Sequence, residues 1–256
     1  MFEQVRAAGR QGRLVERVDG RPWPLPEGRW MVGQTLEDVF LAHWRAAPEA
    51  VQALLPAGVE ADLHDGSAWI GVLGFRVSAL RSRGLLPVPG LSSFLQLNVR
   101  TYVRGRDEKP GIWFFSLDAS SRFAVEGGRR RFGVPFFHAR LAIDRVGDWC
   151  DVECARIGER GRVFSGRYRA AGDAFAPAAG SLEAFLVERY CLYSSDRHGR
   201  LHRAEIHHEP WSLRKAQAEI ELASIAPLAL DGTALCHASE RQDILAWPLE
   251  LLDPSK

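Results

Sequence analysis

The stretch FLQLNVRTYVRGRDEKPGIWFFSLDAS, residues 94–120, indicates the fold class of this chain. Two runs rich in aromatic and β-branched residues flank the polar turn RGRDEKPG, which is the pattern of a β-hairpin. Two further turn signals, Asp65-Gly66 and Gly147-Asp148, each lie between strand-like runs. The chain is therefore predicted to be built from successive hairpins.

Turn signals recur along most of the chain on both sides of this hairpin, and they predict about nine or ten short strands. Three short helices are predicted within TLEDVFLAHW (residues 35–44), PEAVQALLP (48–56) and GSLEAFLVERY (180–190). The predicted fold class is mainly β, a closed antiparallel β-barrel with a few flanking short helices. Residues 1–34 are expected to form an extended N-terminal arm, and residues 35–256 a single domain.

Composition excludes several classes of protein. The 256 residues contain 33 Lys plus Arg and 32 Asp plus Glu, so the net charge is +1, and neither nucleic acid nor a membrane is an expected partner. No run of about 18 apolar residues predicts a membrane-spanning helix. The N-terminal stretch lacks the apolar core of a secretory signal, and four scattered cysteines suit a reducing compartment, so a cytoplasmic location is expected.

The clearest candidate ligand-binding residues lie on the first strand of the opening hairpin. With a period of two, Asn98, Arg100 and Tyr102 share one face of LNVRTYV. The flanking runs are apolar, which favours a central strand and places these polar groups at a cavity. Arg100 could grip a carboxylate or form a structural ion pair, and Asp118, which shares a face with Ser116, could be its partner.

Other candidates follow from the same period-two argument. His138 and Arg140 share a face of FFHARL, either at a ligand or exposed to solvent. Glu188 and Tyr190 share a face of LVERYCLY, as an acid/base pair or with Glu188 in a salt bridge to Arg100 or Arg140.

In LHRAEIHHEPW, His207 and His208 could line a pocket. Histidines that share a strand face there are spaced too far apart to bind one metal ion, and no metal site or cofactor is expected.

Several stretches resemble the YqjF-like family of bacterial proteins: residues 43–77, 97–103, 111–120, 136–141, 180–193 and 204–211. That family in turn resembles the acetoacetate decarboxylase fold, a closed antiparallel barrel around a small-molecule cavity. In the decarboxylase, a Pro-Lys-Lys motif supplies a Schiff-base lysine. The matching positions here hold Val134 and Pro135, or Phe136 and Phe137, so the resemblance implies the fold without that lysine.

The leading functional hypothesis is a cavity that binds a small, anionic metabolite. Two alternatives stay open: a non-covalent enzyme of lyase or hydrolase type that uses His and Glu, and a structural barrel with no ligand. The sequence therefore leaves open whether a reaction is catalysed. The expected partner is a small molecule, and a homo-oligomer is compatible with the sequence.

Overall fold

The computed structural model describes residues 2–252, and its architecture is mainly β. The strands in that range form one sheet, and the helices lie between them or at the N-terminus. The strands are β1 (Val32–Ala46), β2 (Val59–Ala61), β3 (Ala68–Ser82), β4 (Phe94–Gly105), β5 (Pro110–Ala119), β6 (Phe136–Val146), β7 (Trp149–Arg156), β8 (Val163–Phe175), β9 (Cys191–Ser195), β10 (Leu201–His207), β11 (Leu213–Leu222), β12 (Leu235–Ala246) and β13 (Glu250–Leu251). The helices are α1 (Phe2–Arg13), α2 (Pro48–Gln52), α3 (Arg122–Phe132) and α4 (Leu182–Val187), and a 3₁₀ turn spans Leu14–Glu16.

Neighbouring strands follow the order β13-β10-β9-β5-β6-β7-β8-β11-β12-β1-β3-β4-β2, and β4 also pairs with β5, and β10 with β12. The predicted hairpins β4–β5 and β6–β7 are present and antiparallel. The Asp65-Gly66 turn also forms, with both residues at positive φ, but β2 pairs with β4 rather than across that turn with β3.

The sequence predicted a wholly antiparallel sheet, but the sheet is mixed. β5 pairs in parallel with both β6 and β9. A parallel pair needs a crossover connection, and α3 supplies it between β5 and β6. Ser121 caps this helix by accepting a hydrogen bond from the Ala124 amide, and Gly133 ends it in the left-handed conformation.

The helix predicted within residues 35–44 is wrong, because this segment belongs to β1. Asp38 has a φ of 51°, and the pairing of β1 with β3 shifts register between Glu37 and Phe40. A bulge inserts extra residues into a strand and breaks its period of two. The apolar side chains therefore fall three and four residues apart, which imitates a helix. The predicted helices that begin at Pro48 and after Ser181 are confirmed as α2 and α4.

The N-terminal segment is not simply an extended arm, because it begins with the helix α1. Gln11 is fully buried, donates to the Thr35 hydroxyl (3.2 Å) and accepts from Arg81 Nε (2.6 Å). The helix is thus held against the sheet. β1 begins at Val32, so the expected domain boundary at residue 34 falls inside a strand. No helix among residues 2–252 is both long and apolar enough to cross a membrane.

The apolar core lies on both faces of the central strands. On β4, Leu97 and Val99 are fully buried against one cluster that includes Phe40 and Val152. The opposite face of β4 points toward a second cluster that surrounds an internal cavity. Because β4 is covered on both faces over most of its length, the side chains of Gln96, Asn98 and Arg100 are buried.

Candidate functional site

The candidate site is a cavity of about 420 Å³ between the sheet, α3 and the connection from β3 to β4. This volume is in the range of small-molecule sites, roughly 300–1,000 Å³. Most of the wall is apolar, and the following side chains contribute to it: Leu36, Leu73, Phe75, Phe94, Ile112, Phe114, Leu117, Val134, Phe136, Val187, Leu192, Ile206 and Ile244.

Strand β4 contributes a row of four side chains to the wall: Phe94, Gln96, Asn98 and Arg100. They alternate along the strand, so they share the face that the sequence predicted. All four are at most 8% exposed. The Asn98 side-chain oxygen has no hydrogen-bond partner among the described residues. A polar ladder therefore leads into an otherwise apolar space.

Arg100 is a buried cation at the inner end of this ladder. One terminal nitrogen donates to the Leu186 carbonyl (2.9 Å), whereas its Nε has no partner within the described residues. Across residues 2–252, no carboxylate forms an ion pair with this guanidinium. Burying an arginine without a counter-ion is unfavourable, so an anion in the cavity would offset that cost.

Arg189 also lines the cavity, but its charge is balanced. Its Nη1 donates to Asp62 Oδ2 (2.6 Å), and its Nε donates to the Phe185 carbonyl (2.6 Å). Asp62 also accepts from Arg104 (2.7 Å). Burial lowers the pKa of Arg189, and the neighbouring Asp62 opposes that effect. The two cavity arginines therefore differ in whether a carboxylate of the protein neutralises them.

His208 and Trp211 line the cavity from the segment that follows β10. The His208 ring stacks on Tyr190 (4.6 Å between ring centroids), and its two nitrogens lie 2.8 Å and 3.1 Å from the carbonyls of Glu209 and Arg189. Burial lowers the pKa of His208, whereas the Glu188 carboxylate and the two backbone carbonyls act in the opposite direction. Trp211 Nε1 is a buried donor that has no acceptor among residues 2–252.

A second layer lies behind Arg100. The Arg100 guanidinium is 5.5 Å from the centre of the Tyr102 ring, and the Tyr102 ring lies near His43 (6.2 Å between centroids). Both nitrogens of His43 and the Tyr102 hydroxyl are buried and have no partner within the described part of the chain. Burial, and then the charge of Arg100, holds the pKa of His43 well below its usual value, so its ring is neutral.

The outer end of the cavity carries exposed apolar side chains. Leu85, Leu86, Val88 and Leu91 belong to the connection between β3 and β4, and Phe123 belongs to α3; each is between 49% and 75% exposed. Exposed apolar patches of this kind commonly mark interaction sites or ligand-binding grooves. We call these five residues the mouth.

The structure brings together only part of the predicted site. Asn98, Arg100 and His208 line the cavity, and Tyr102 lies directly behind Arg100. Ser116 faces away from the cavity and donates to Asp118 (2.9 Å).

The suggested pairing of Asp118 with Arg100 is wrong, because Asp118 instead accepts two hydrogen bonds from Arg156 (2.8 and 3.1 Å). A bulge in β5 between Phe114 and Ser116 changes which side chains face inward.

The remaining predicted residues lie outside the cavity wall. His138 is half-buried and Arg140 is exposed, because β6 turns this part of its length toward the surface. Glu188 and Tyr190 do meet, and the Tyr190 hydroxyl donates to Glu188 (2.7 Å). The alternative ion pairs from Glu188 to either arginine are wrong. His207 is buried, and its Nε2 lies 3.0 Å from the Leu14 carbonyl.

Sequence reasoning missed Arg189, Gln96 and Trp211, which line the cavity. If LVERYCLY is a strand, a period of two places Arg189 on the face opposite Glu188 and Tyr190, whereas Arg189 lies in the segment between α4 and β9. Gln96 could have been found, since it continues the alternation of Asn98 and Arg100. Lys109 lies elsewhere, where its ammonium pairs with Glu205 (3.0 Å) and faces the Trp23 ring. Lys256 lies outside the described residues.

The sequence matches one family model and one curated relative. The model of the DUF2071 family, described as an uncharacterized conserved protein, matches residues 33–246. The Bacillus subtilis (strain 168) protein YqjF is 38% identical over 240 residues, covering 92% of this chain and 98% of that protein.

Among solved structures, acetoacetate decarboxylase from Legionella pneumophila has a TM-score of 0.62 at 13% identity, covering 94% of this chain and 95% of that one. An acetoacetate decarboxylase-like enzyme from Sphingomonas wittichii RW1 has a TM-score of 0.61 at 17% identity, with 88% and 94% covered. The enduracididine biosynthesis enzyme MppR, complexed with pyruvate, has a TM-score of 0.64 at 15% identity, with 93% and 95% covered. At these identities the likeness concerns the fold alone.

Proposed function

The chain belongs to the DUF2071 family and has an acetoacetate decarboxylase-like fold, and from that premise we propose that it binds a small anionic molecule in its internal cavity. The observation that carries this proposal is Arg100, a buried guanidinium on the cavity wall with no carboxylate partner among residues 2–252. A carboxylate ligand would supply the missing counter-ion, because its two oxygens match the donors of a guanidinium.

We infer that the cavity is the interior of a closed barrel. Following the pairings from β4 through β5, β9, β10, β12, β1 and β3 leads back to β4, and each of these strands contributes to the cavity wall. A sheet that closes on itself excludes water from its interior, and polar groups inside it then interact strongly with a bound ligand. The empty volume of about 420 Å³ supports a ligand site over the alternative of a filled structural barrel.

Binding without covalent attachment agrees best with the positions of the amines. The Lys109 ammonium is engaged by Glu205 and lies outside the cavity wall, and Lys215 lies on β11 opposite His237 of β12. Arginine does not form a Schiff base under these conditions, since its guanidinium stays protonated. One structure with the same fold is described as a complex with pyruvate, a small carboxylate, which agrees in charge with the ligand proposed here.

Acid/base catalysis has weaker support than binding. Both nitrogens of His208 already lie within hydrogen-bonding distance of backbone carbonyls. Glu188 accepts from the Tyr190 hydroxyl and from the Trp211 amide (2.8 Å), outside the cavity wall. A general base needs a lone pair within reach of the substrate proton; the His208 nitrogens face backbone carbonyls, and Glu188 lies outside the cavity wall.

The test is a calorimetric titration of the purified protein with monocarboxylates of increasing size and with their neutral amides. We expect carboxylates to bind, amides to bind weakly, and Arg100→Met to abolish the preference for the carboxylate. Arg140→Met is the matched control, because that exposed arginine lies outside the cavity. Equal carboxylate binding by the Arg100→Met protein, with the fold intact by circular dichroism, would refute the proposal.

A further inference from the structure

The two ends of the cavity differ in chemistry, and β4 gives their separation. The connection that carries the mouth residues enters β4 at Phe94, and Arg100 lies six residues farther along the same strand. At a rise of about 3.3 Å per residue, the Cα atoms of Phe94 and Arg100 are on the order of 20 Å apart along the strand. α3 lies at the same end as the mouth, since it follows directly after Ala119, which pairs with Gln96.

Between these ends the wall is largely apolar, and Arg189 and His208, which also line it, have hydrogen-bond partners within the protein. The facing strands β3 and β5 contribute Leu73, Phe75, Phe114 and Leu117. Among residues 2–252, the fully buried polar atoms of the cavity wall that have no partner are Arg100 Nε, the Asn98 side-chain oxygen and Trp211 Nε1. A ligand that carries polar groups along its whole length would leave most of them without partners, at a cost in affinity.

Volume limits the size of the ligand. A cavity of about 420 Å³ corresponds to about 14 groups of about 30 Å³ each, the volume that one water molecule occupies in the liquid. Two of these groups are the oxygen atoms of the carboxylate. About twelve carbon atoms then remain, arranged along a path that is longer than it is wide.

We infer that the cavity takes an unbranched aliphatic carboxylate of about ten to twelve carbon atoms. Its carboxylate lies at Arg100 and Asn98, and its chain runs along the apolar wall to the mouth. The exposed side chains of Leu86 and Phe123 then contact the end of the chain, which explains why apolar groups stand at the opening. This inference rests on the proposed function, because it needs Arg100 to bind the anion.

The experiment is a calorimetric titration of the full chain with butanoate, hexanoate, octanoate, decanoate and dodecanoate, and with 1-decanol. Burial of each methylene strengthens binding by about fourfold, so hexanoate and decanoate should differ by on the order of a hundredfold in Kd. The gain should level off near twelve carbons. 1-Decanol, which has the same chain and no charge, should bind at least tenfold more weakly than decanoate.

Variants at the mouth distinguish contacts with the aliphatic part of the ligand from contacts with its carboxylate. Phe123→Ser and Leu86→Ser remove exposed side chains, so they leave the fold intact. Each should weaken decanoate binding by about tenfold or more and leave butanoate binding unchanged. Val146→Ser is the matched control, because Val146 is 61% exposed and lies outside the cavity wall.

The outcomes distinguish this inference from the proposed function. If all five acids bind with equal Kd and lose affinity equally in Arg100→Met, the inference is wrong and the anion site stands. An equal loss of decanoate binding in the Val146→Ser protein would mean non-specific adsorption and would also overturn the inference. If no carboxylate of any size binds, both fail.

Discussion

The same substitution should affect the free energy of unfolding much less at Arg100 than at Arg189. Arg100→Met replaces a buried charge that has no carboxylate partner among the described residues with an apolar side chain of similar length. Exchanging buried ionic groups for apolar ones is neutral or stabilising by about 1–4 kcal/mol. Loss of the hydrogen bond to the Leu186 carbonyl costs about 1–3 kcal/mol. The two effects nearly cancel, and the free energy of unfolding should change by about 1 kcal/mol or less.

Arg189→Met should instead be strongly destabilising. It removes one of the two cations that pair with the buried Asp62 carboxylate, and it leaves the Phe185 carbonyl without its donor. Breaking a buried ion pair by removing one partner costs about 3–5 kcal/mol. For a chain of this size, that corresponds to a fall in Tm of about 6–20 °C, compared with less than about 4 °C for Arg100→Met.

The assay is thermal and urea unfolding of both variants and the wild type, in the absence of added carboxylate. The same samples are then titrated with carboxylates to measure anion binding. The expected pattern is a stable Arg100→Met protein that no longer binds anions. If Arg100→Met lowers Tm as much as Arg189→Met, then Arg100 is a structural cation and the argument for an anion site loses its basis.

Three further outcomes follow from contacts outside the ion pairs. Gly127→Ala in α3 should raise the free energy of unfolding by about 0.5–1 kcal/mol, because an added Cβ meets open space there. Gly128→Ala should lower it by about 1–3 kcal/mol, because its Cβ would lie 2.1 Å from the Phe136 ring; both are read from Tm, and equal shifts would contradict the packing. Since burial lowers the pKa of His43 well below the unfolded value, folding stability should fall as pH drops below about 6.5. His43→Leu should reduce that slope by up to about 1.4 kcal/mol per pH unit in urea unfolding, while substitution of the exposed His198 should not. The four cysteines are buried and burial raises the pKa of each thiol, so a thiol reagent such as DTNB should react at least tenfold faster after unfolding than before.

Most of the strand segments could be predicted from sequence, because the signals for hairpins are local. The polar turn before Gly111 and the Gly147-Asp148 pair each join strands that do form hairpins. The failure at residues 35–44 also has a local cause. A bulge at Asp38 shifted the alternation of apolar side chains, and period alone could not distinguish the result from a helix.

The candidate site was only partly predictable. Asn98 and Arg100 were identified because alternation on one strand decides which side chains share a face. Alternation does not decide whether that face meets a cavity, an ion pair or solvent. His138 and Ser116 satisfied the same pattern, yet His138 is half-buried outside the cavity wall, and Ser116 donates to Asp118, which pairs with Arg156.

The mainly β class, the family and the polar face of β4 were predictable from the amino-acid sequence, since each depends on residues close together in the chain. Only the tertiary structure decided that Arg189 and Trp211 join Arg100 around one space, that Asp118 is taken by Arg156, and that Asp62 neutralises Arg189 but not Arg100. These facts depend on which distant segments pack together. The burial of apolar surface across the whole sheet determines which distant segments pack together, and no local sequence pattern predicts it.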